Sequence, residues 1–218
     1  MEFRRVLFRS SAAKDWGYDD LVRYDFPAVT GAARARGEGL PLLVVGHSLG
    51  GHVAMAARGT GHLDADAIVG IAANVWLPAL DPSLVRRAAK RVLASASMRI
   101  IDRIGKLPAR ALRFGSDDES ARYMADLFRT VRRGTWTSAD GADDYLAALA
   151  NVDIPVANVL GDRDRITCHP SVGAAFVRAC RGPTATFHAD AGHMDLVTSS
   201  RHHGVIVAAV KWAIEEMR

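Results

Sequence analysis

The stretch from residue 40 to residue 58 constrains this chain more than any other. An apolar run, Leu40-Pro41-Leu42-Leu43-Val44-Val45, leads into Gly46-His47-Ser48-Leu49-Gly50-Gly51, and small residues follow to Arg58. An apolar run without alternation fits a strand buried on both faces of a parallel sheet. The Gly-x-Ser-x-Gly turn between that strand and a helix has a mechanical reason for its glycines. The chain reverses so sharply that the serine takes strained backbone angles, and side chains at Gly46 and Gly50 are expected to have no room. Such a turn pushes the Ser48 hydroxyl out at the carboxyl edge of the sheet, where ligands bind in open α/β folds. The helix start behind it favours developing negative charge, so the Leu49 N–H is expected to serve as an oxyanion donor. Ser48 is the candidate nucleophile.

The rest of the chain alternates in the same way. Residues 16–36 read as helical, with Leu21, Val22, Phe26, Val29 and Ala33 as an apolar stripe. Pro27 is expected to open a fresh helical run with Asp25 near its cap, and Gly37 and Gly39 to end it. Residues 67–72 read as a second buried strand, residues 155–160 as a third and residues 184–189 as a fourth. Residues 143–150, 171–181 and 204–217 read as helices. Strands alternating with helices imply an α/β fold built on a parallel sheet. Residues 74–140 differ: they are helical, basic and without a strand-like run, which predicts an inserted cap. The expected division is therefore core over 11–73, cap over 74–140 and core again over 141–218.

A free serine is a poor nucleophile and needs a general base and an orienting carboxylate. The turn after the third strand is Gly161-Asp162-Arg163-Asp164, and the turn after the fourth is Ala191-Gly192-His193-Met194. Both lie beyond carboxyl ends of parallel strands, on the rim that carries Ser48. His193 is the candidate base, and Asp162 and Asp164 compete to be the acid. His47 and Trp76 are candidate substrate-binding residues at the same rim. The His62-Leu63-Asp64-Ala65-Asp66 stretch and the Cys168-His169 pair have no closed ligand set, so neither a metal nor a cofactor is expected.

With GHSLGG, GDRD and AGHM in that order, the chain resembles the α/β-hydrolase superfamily, and the helix from Tyr18 through Pro27 is similar to its monoacylglycerol-lipase and serine-aminopeptidase-like members. The resemblance covers most of residues 11–218. It implies a Ser, Asp, His triad in that chain order, and its usual Gly-x-x-Asp spacing favours Asp164 over Asp162. It also implies about eight strands, three or four of them ahead of the elbow strand. Those are missing here, as is the loop that supplies the second oxyanion donor. The fold expected is thus a partial α/β-hydrolase, N-terminally truncated, with one edge of the elbow strand unpaired. The activity implied is cleavage of a carboxylic ester through an acyl-enzyme, impaired in this fragment. Thioesterase, aminopeptidase and acyltransferase variants on the same triad stay open, and so does an inactive hydrolase-like fragment.

Composition adds limits. The chain is 49% hydrophobic and 24% charged, ordinary for a soluble globular protein. Its two cysteines, Cys168 and Cys180, with no signal-peptide pattern, predict a reducing, cytoplasmic setting. Apolar runs fall short of a bilayer span, so no stable membrane anchoring is expected. The net charge of +4 owes +2 to residues 1–10, MEFRRVLFRS. That decapeptide back-translates into DNA resembling a sequencing adapter, so native sequence is expected to begin near Ser11, the alternative being a basic arm. Nucleic acid is accordingly not an expected partner; a small acyl substrate is. In the cap, Arg86, Arg87, Lys90, Arg91, Arg99, Arg103, Lys106, Arg110 and Arg113 crowd together with interleaved apolar residues. This pattern fits a solvated cap over an apolar pocket, with peripheral lipid contact as the other reading. The oligomeric state stays open.

Overall fold

The computed structural model describes residues 16–108, 110–111 and 118–218; residues 1–10 and Arg113 lie outside the described residues. The first helical stretch has three pieces: α1 (Tyr18–Asp20), a π-helical turn (Leu21–Asp25) and α2 (Phe26–Gly37). Pro27 is the second residue of α2, and since helical residues precede it, its missing N–H leaves a carbonyl of the preceding turn without a helical donor. Asp25 precedes α2 but has helical backbone angles, and its side chain makes no cap bond. The expected fresh start is thus a widened turn inside a continuing helix. Glu38 and Gly39, at φ 46° and 87°, then take the chain out of α2.

The chain continues through β1 (Leu43–His47), α3 (Leu49–Gly59), β2 (Ala67–Ile71), α4 (Leu84–Ile104), β3 (Lys106–Leu107) and β4 (Glu119–Ser120). There follow α5 (Ala121–Arg133), α6 (Tyr145–Ala148), β5 (Val156–Gly161), α7 (Pro170–Val177), β6 (Thr184–Ala189), α8 (Asp195–Thr198) and α9 (His203–Glu216). The main sheet is parallel in the order β1-β2-β5-β6, with Val45 opposite Val69 and Val69 opposite Ala157. One face packs Val44, Ile68 and Val156 against Val53 and Met55 of α3 and Phe176 of α7. The other packs Val69, Ile71, Ala157 and Val159 against Ala209 and Ala213 of α9. Asn158, fully buried in β5, bonds both the N–H and the carbonyl of Ala73 (3.1 and 2.8 Å) and so pins the chain leaving β2.

The elbow strand corrects an expectation. β1 is the sheet's edge, and Val45 within it is 48% exposed. Helix α9 lies across β2, β5 and β6, so it does not shield the face of β1 that carries Val45. An apolar run has the same composition at an edge as in the centre, and burial on both faces needs neighbours that the run itself does not specify.

The described residues of 74–140 are mostly helical but include a strand pair, contrary to expectation: Lys106 pairs with Ser120 and Leu107 with Glu119, antiparallel. Two residues per strand are too few to show a period-two pattern. The region's helix ends follow the usual chemistry. The hydroxyls of Ser83 and Ser120 accept from the Arg86 and Tyr123 N–H groups, and Gly105 and Gly134 close α4 and α5 at φ 74°. Ala94, Ile101, Met124, Phe128 and Trp136 from this region belong to the same buried cluster as Val53 and Met55. Several of its cations are matched within the region: Asp81, 2% exposed, bonds Arg86 at 2.8 Å and buried Lys90 at 3.0 Å, Lys106 pairs with Asp118 and Arg129 with Asp126. No helix among the described residues is long and apolar enough to cross a membrane.

Candidate active site

At the end of β1 the chain turns through Ser48, whose φ of 48° and ψ of −111° are strained for a residue with a side chain. Its N–H is tied to the Ile71 carbonyl (2.8 Å), and its own carbonyl accepts from Gly51 (3.1 Å) and His52 (3.3 Å). A Cβ on Gly46 would stand 2.5 Å from the backbone of Gly50 and Gly51, so a side chain is excluded there. At Gly50 the expectation fails, because a Cβ there would meet nothing within 4 Å. The crowded partner is Gly51, where a Cβ would lie 2.5 Å from Cβ of Ala73. Gly51 faces the sheet and Gly50 does not. Leu49 opens α3, so its N–H is among those a helix start leaves without an intrahelical acceptor.

The turns after β5 and β6, which carry the candidate acid and base, are joined to each other. Asp162 and Arg163 donate their N–H groups to the carbonyls of Ala189 and Ala191 (2.9 and 3.0 Å). Gly161 lies so close to the Ala191 carbonyl that a Cβ would approach it to 2.5 Å. Within this joint Asp164 Oδ2 bonds His193 Nδ1 at 2.6 Å. The same carboxylate accepts from Thr167 N–H and Cys168 N–H, each at 2.9 Å. Burial pushes the Asp164 carboxyl up, but the bond to His193, that ring's charge and the two N–H groups outweigh it and hold the carboxyl below its usual range. Asp162 points elsewhere, to Nδ1 of exposed His188 at 2.8 Å.

The structure brings Asp164 and His193 together, and it brings His193 to the elbow: the rings of His47 and His193 are 4.8 Å apart. Among the described residues no hydrogen bond joins the Ser48 hydroxyl to His193; such bonds commonly tighten only once substrate is bound. His47 is half-buried, and its Nε2 lies 3.2 Å from the His193 carbonyl. Burial, then the neighbouring His193, holds the His47 imidazole below its usual range, so it is neutral near pH 7. Trp76 donates Nε1–H to the Thr167 carbonyl (2.9 Å), and Lys90 lies over its ring at 5.7 Å. Because the Thr167 N–H also bonds Asp164, Trp76 fastens the segment after β2 to the turn after β5. Neither that link nor the one from His47 to His193 has a sequence signal, since they join residues 91 and 146 positions apart.

Behind the elbow, His52 of α3 is buried with Nδ1 2.9 Å from the Tyr18 hydroxyl. Cys168 and Cys180 are buried free thiols that burial pushes well above their usual range. Asp64 and Asp66 pair with Arg34, and His169 bonds Ser171 at the start of α7. No group of three or more His, Cys, Asp or Glu among the described residues could hold a metal ion.

Residues 13–194 match the sequence family described as serine aminopeptidase, S33. Comparison with curated protein sequences finds no match. Among solved structures, the chain is similar to a monoacylglycerol lipase from Paleococcus ferrophilus (TM-score 0.56, 14% identity), covering 92% of this chain and 76% of that one. It is similar to Est1E from Butyrivibrio proteoclasticus (TM-score 0.57, 16% identity), covering 93% and 72%. It is also similar to AbyA5 (TM-score 0.52, 20% identity), covering 93% of this chain but only 50% of that one. At such identities the likeness concerns the fold.

Proposed function

Because this chain belongs to the serine aminopeptidase S33 family of α/β-hydrolases, we propose that it is a serine hydrolase that cleaves a carboxylic ester through an acyl-enzyme on Ser48. The observation that carries the reading is the Asp164–His193 bond of 2.6 Å, made beside the strained elbow residue. Asp164 fixes the imidazole with its proton on Nδ1, which leaves Nε2 as a base. His193 Nε2 takes the Ser48 proton as Oγ attacks the carbonyl carbon, and Asp164 stabilises the imidazolium. The oxygen that gains charge is met by the Leu49 N–H. Collapse expels the alcohol, protonated by His193, and water activated by the same histidine releases the acid.

With one oxyanion donor assigned and the elbow strand open at its edge, turnover by these 218 residues is expected close to background. Each oxyanion donor is worth about 100- to 1,000-fold. A single-turnover probe is therefore the better test. A fluorophosphonate is expected to label Ser48 and to label nothing in Ser48→Ala. Failure to label the folded wild-type chain would leave a hydrolase shell without an activated serine. The family's description favours amide cleavage as a second reading, because fold and triad do not set the leaving group. A panel of p-nitrophenyl esters, acyl thioesters and aminoacyl anilides separates the two by which series acylates Ser48 in a single turnover, read as one equivalent of leaving group that Ser48→Ala does not release.

A further inference from the structure

We propose that His47 is a positioning residue for the base, holding the backbone of His193 so that its imidazole stays facing the nucleophile; this rests on the reading of Ser48 and His193 above. His193 lies in an irregular turn between β6 and α8, where no helix or strand fixes it. Its imidazole is gripped at Nδ1 by Asp164, and its carbonyl faces Nε2 of His47 at 3.2 Å. A carbonyl can only accept, so His47 carries a proton on Nε2 and donates it. One bond at Nδ1 leaves the ring free to swing about it, whereas a second bond to the main chain of the same residue removes that freedom. His47 is also the residue next to Ser48, and its partner in the sheet register is Ile71, whose carbonyl holds the Ser48 N–H. The separation of nucleophile and base is thus set through a single residue of a strained turn.

The neutrality of His47 suits this place. During acylation His193 becomes a cation, and a second cation with its ring 4.8 Å away would oppose that. A neutral donor grips the carbonyl without that opposition. Because the Nε2 proton is engaged by the protein itself, His47 acts on substrate through His193.

The test compares His47→Leu, which lacks a donor, with His47→Gln, a neutral side chain whose amide can donate. The readouts on the full chain are the second-order rate of fluorophosphonate labelling at Ser48 and the melting temperature. Misplacement by an ångström costs about 100-fold, so the Leu variant is expected to label about 10- to 100-fold more slowly. The Gln variant is expected to regain most of that loss, with both melting temperatures near the wild type. His47→Ala takes the place of Leu if that variant does not fold. Wild-type rates in both variants, or equal losses in both, would overturn the role of His47 while leaving the serine reading intact. An unlabelled wild type would remove the serine reading and this role together.

Discussion

Asp164 and His193 meet at 2.6 Å across two turns that are 29 residues apart, and the same carboxylate collects the N–H groups of Thr167 and Cys168. Those extra bonds mean that Asp164 is held in place before any substrate arrives. Replacing it with Asn should keep the shape while destroying the preference for a proton on Nδ1. Asp164→Asn is expected to slow fluorophosphonate labelling by roughly 1,000-fold or more. Asp162→Asn gives up only an exposed contact with His188, of the kind worth about 0–1 kcal/mol, and should label at nearly the wild-type rate. Equal losses in the two variants would reassign the acid.

The split between what could be read in advance and what could not has physical reasons. Strands β5 and β6 are short apolar or β-prone runs flanked by turn residues, and their ends fell within a residue of the expected ones. The choice of Asp164 over Asp162 came from family spacing, because both aspartates sit in one turn and only the side-chain directions differ. The exposure of Val45 was hidden, since an apolar strand carries no mark of what lies beside it. The same holds for the π-turn at Leu21–Asp25 and the two-residue strands β3 and β4. Links such as Trp76 to Thr167 depend on how remote segments dock, and local composition carries no trace of them.

The two adjacent glycines after Leu49 should respond in opposite ways to alanine. At Gly51 the added methyl would stand 2.5 Å from Ala73 Cβ and 2.9 Å from the Gly46 carbonyl. Forcing α3 away from the sheet is expected to cost about 1–3 kcal/mol in urea unfolding. At Gly50 the methyl meets open space, and alanine is the better helix former by up to about 1 kcal/mol. Gly50→Ala should therefore be neutral to slightly stabilising. Destabilisation by Gly50→Ala as large as that by Gly51→Ala would contradict this geometry.

Strand β1 should govern self-association. It is the sheet edge, Val45 is 48% exposed, and Leu40 just before it is 69% exposed. Unpaired strand groups beside apolar side chains are a template for another chain. Val45→Lys places a charge on that edge and is expected to lower concentration-dependent light scattering. Unfolding free energy should change by less than about 0.5 kcal/mol, as for other solvent-facing positions. Unchanged scattering would move the sticky surface elsewhere on the molecule.

His52 should make the fold acid-sensitive at a pH where carboxylates are still ionised. It is buried against the Tyr18 hydroxyl, within an aromatic group that includes Trp136, and burial pulls its pKa down from 6.5 to about 3. Between those two values the unfolded chain binds a proton that the folded chain refuses. The stability tied to neutral His52 is thus complete above pH 6.5 and is lost progressively as the pH falls toward 3. The slope from one such group approaches about 1.4 kcal/mol per pH unit. Carboxylates with lowered pKa values, Asp164 and Asp140 among them, also lose their contribution on acidification, but from below about pH 5. The window from pH 6.5 to 5 therefore leaves those carboxylates out. His47 and His169, whose imidazoles burial also holds low, add to the slope there, and comparison with a variant lacking His52 isolates its share. His52→Gln keeps an acceptor for Tyr18 and cannot titrate, so its unfolding free energy should be flatter across that window than the wild type's. Parallel curves for the two proteins would show that His52 is protonated in the folded state, or is as accessible to water there as in the unfolded chain.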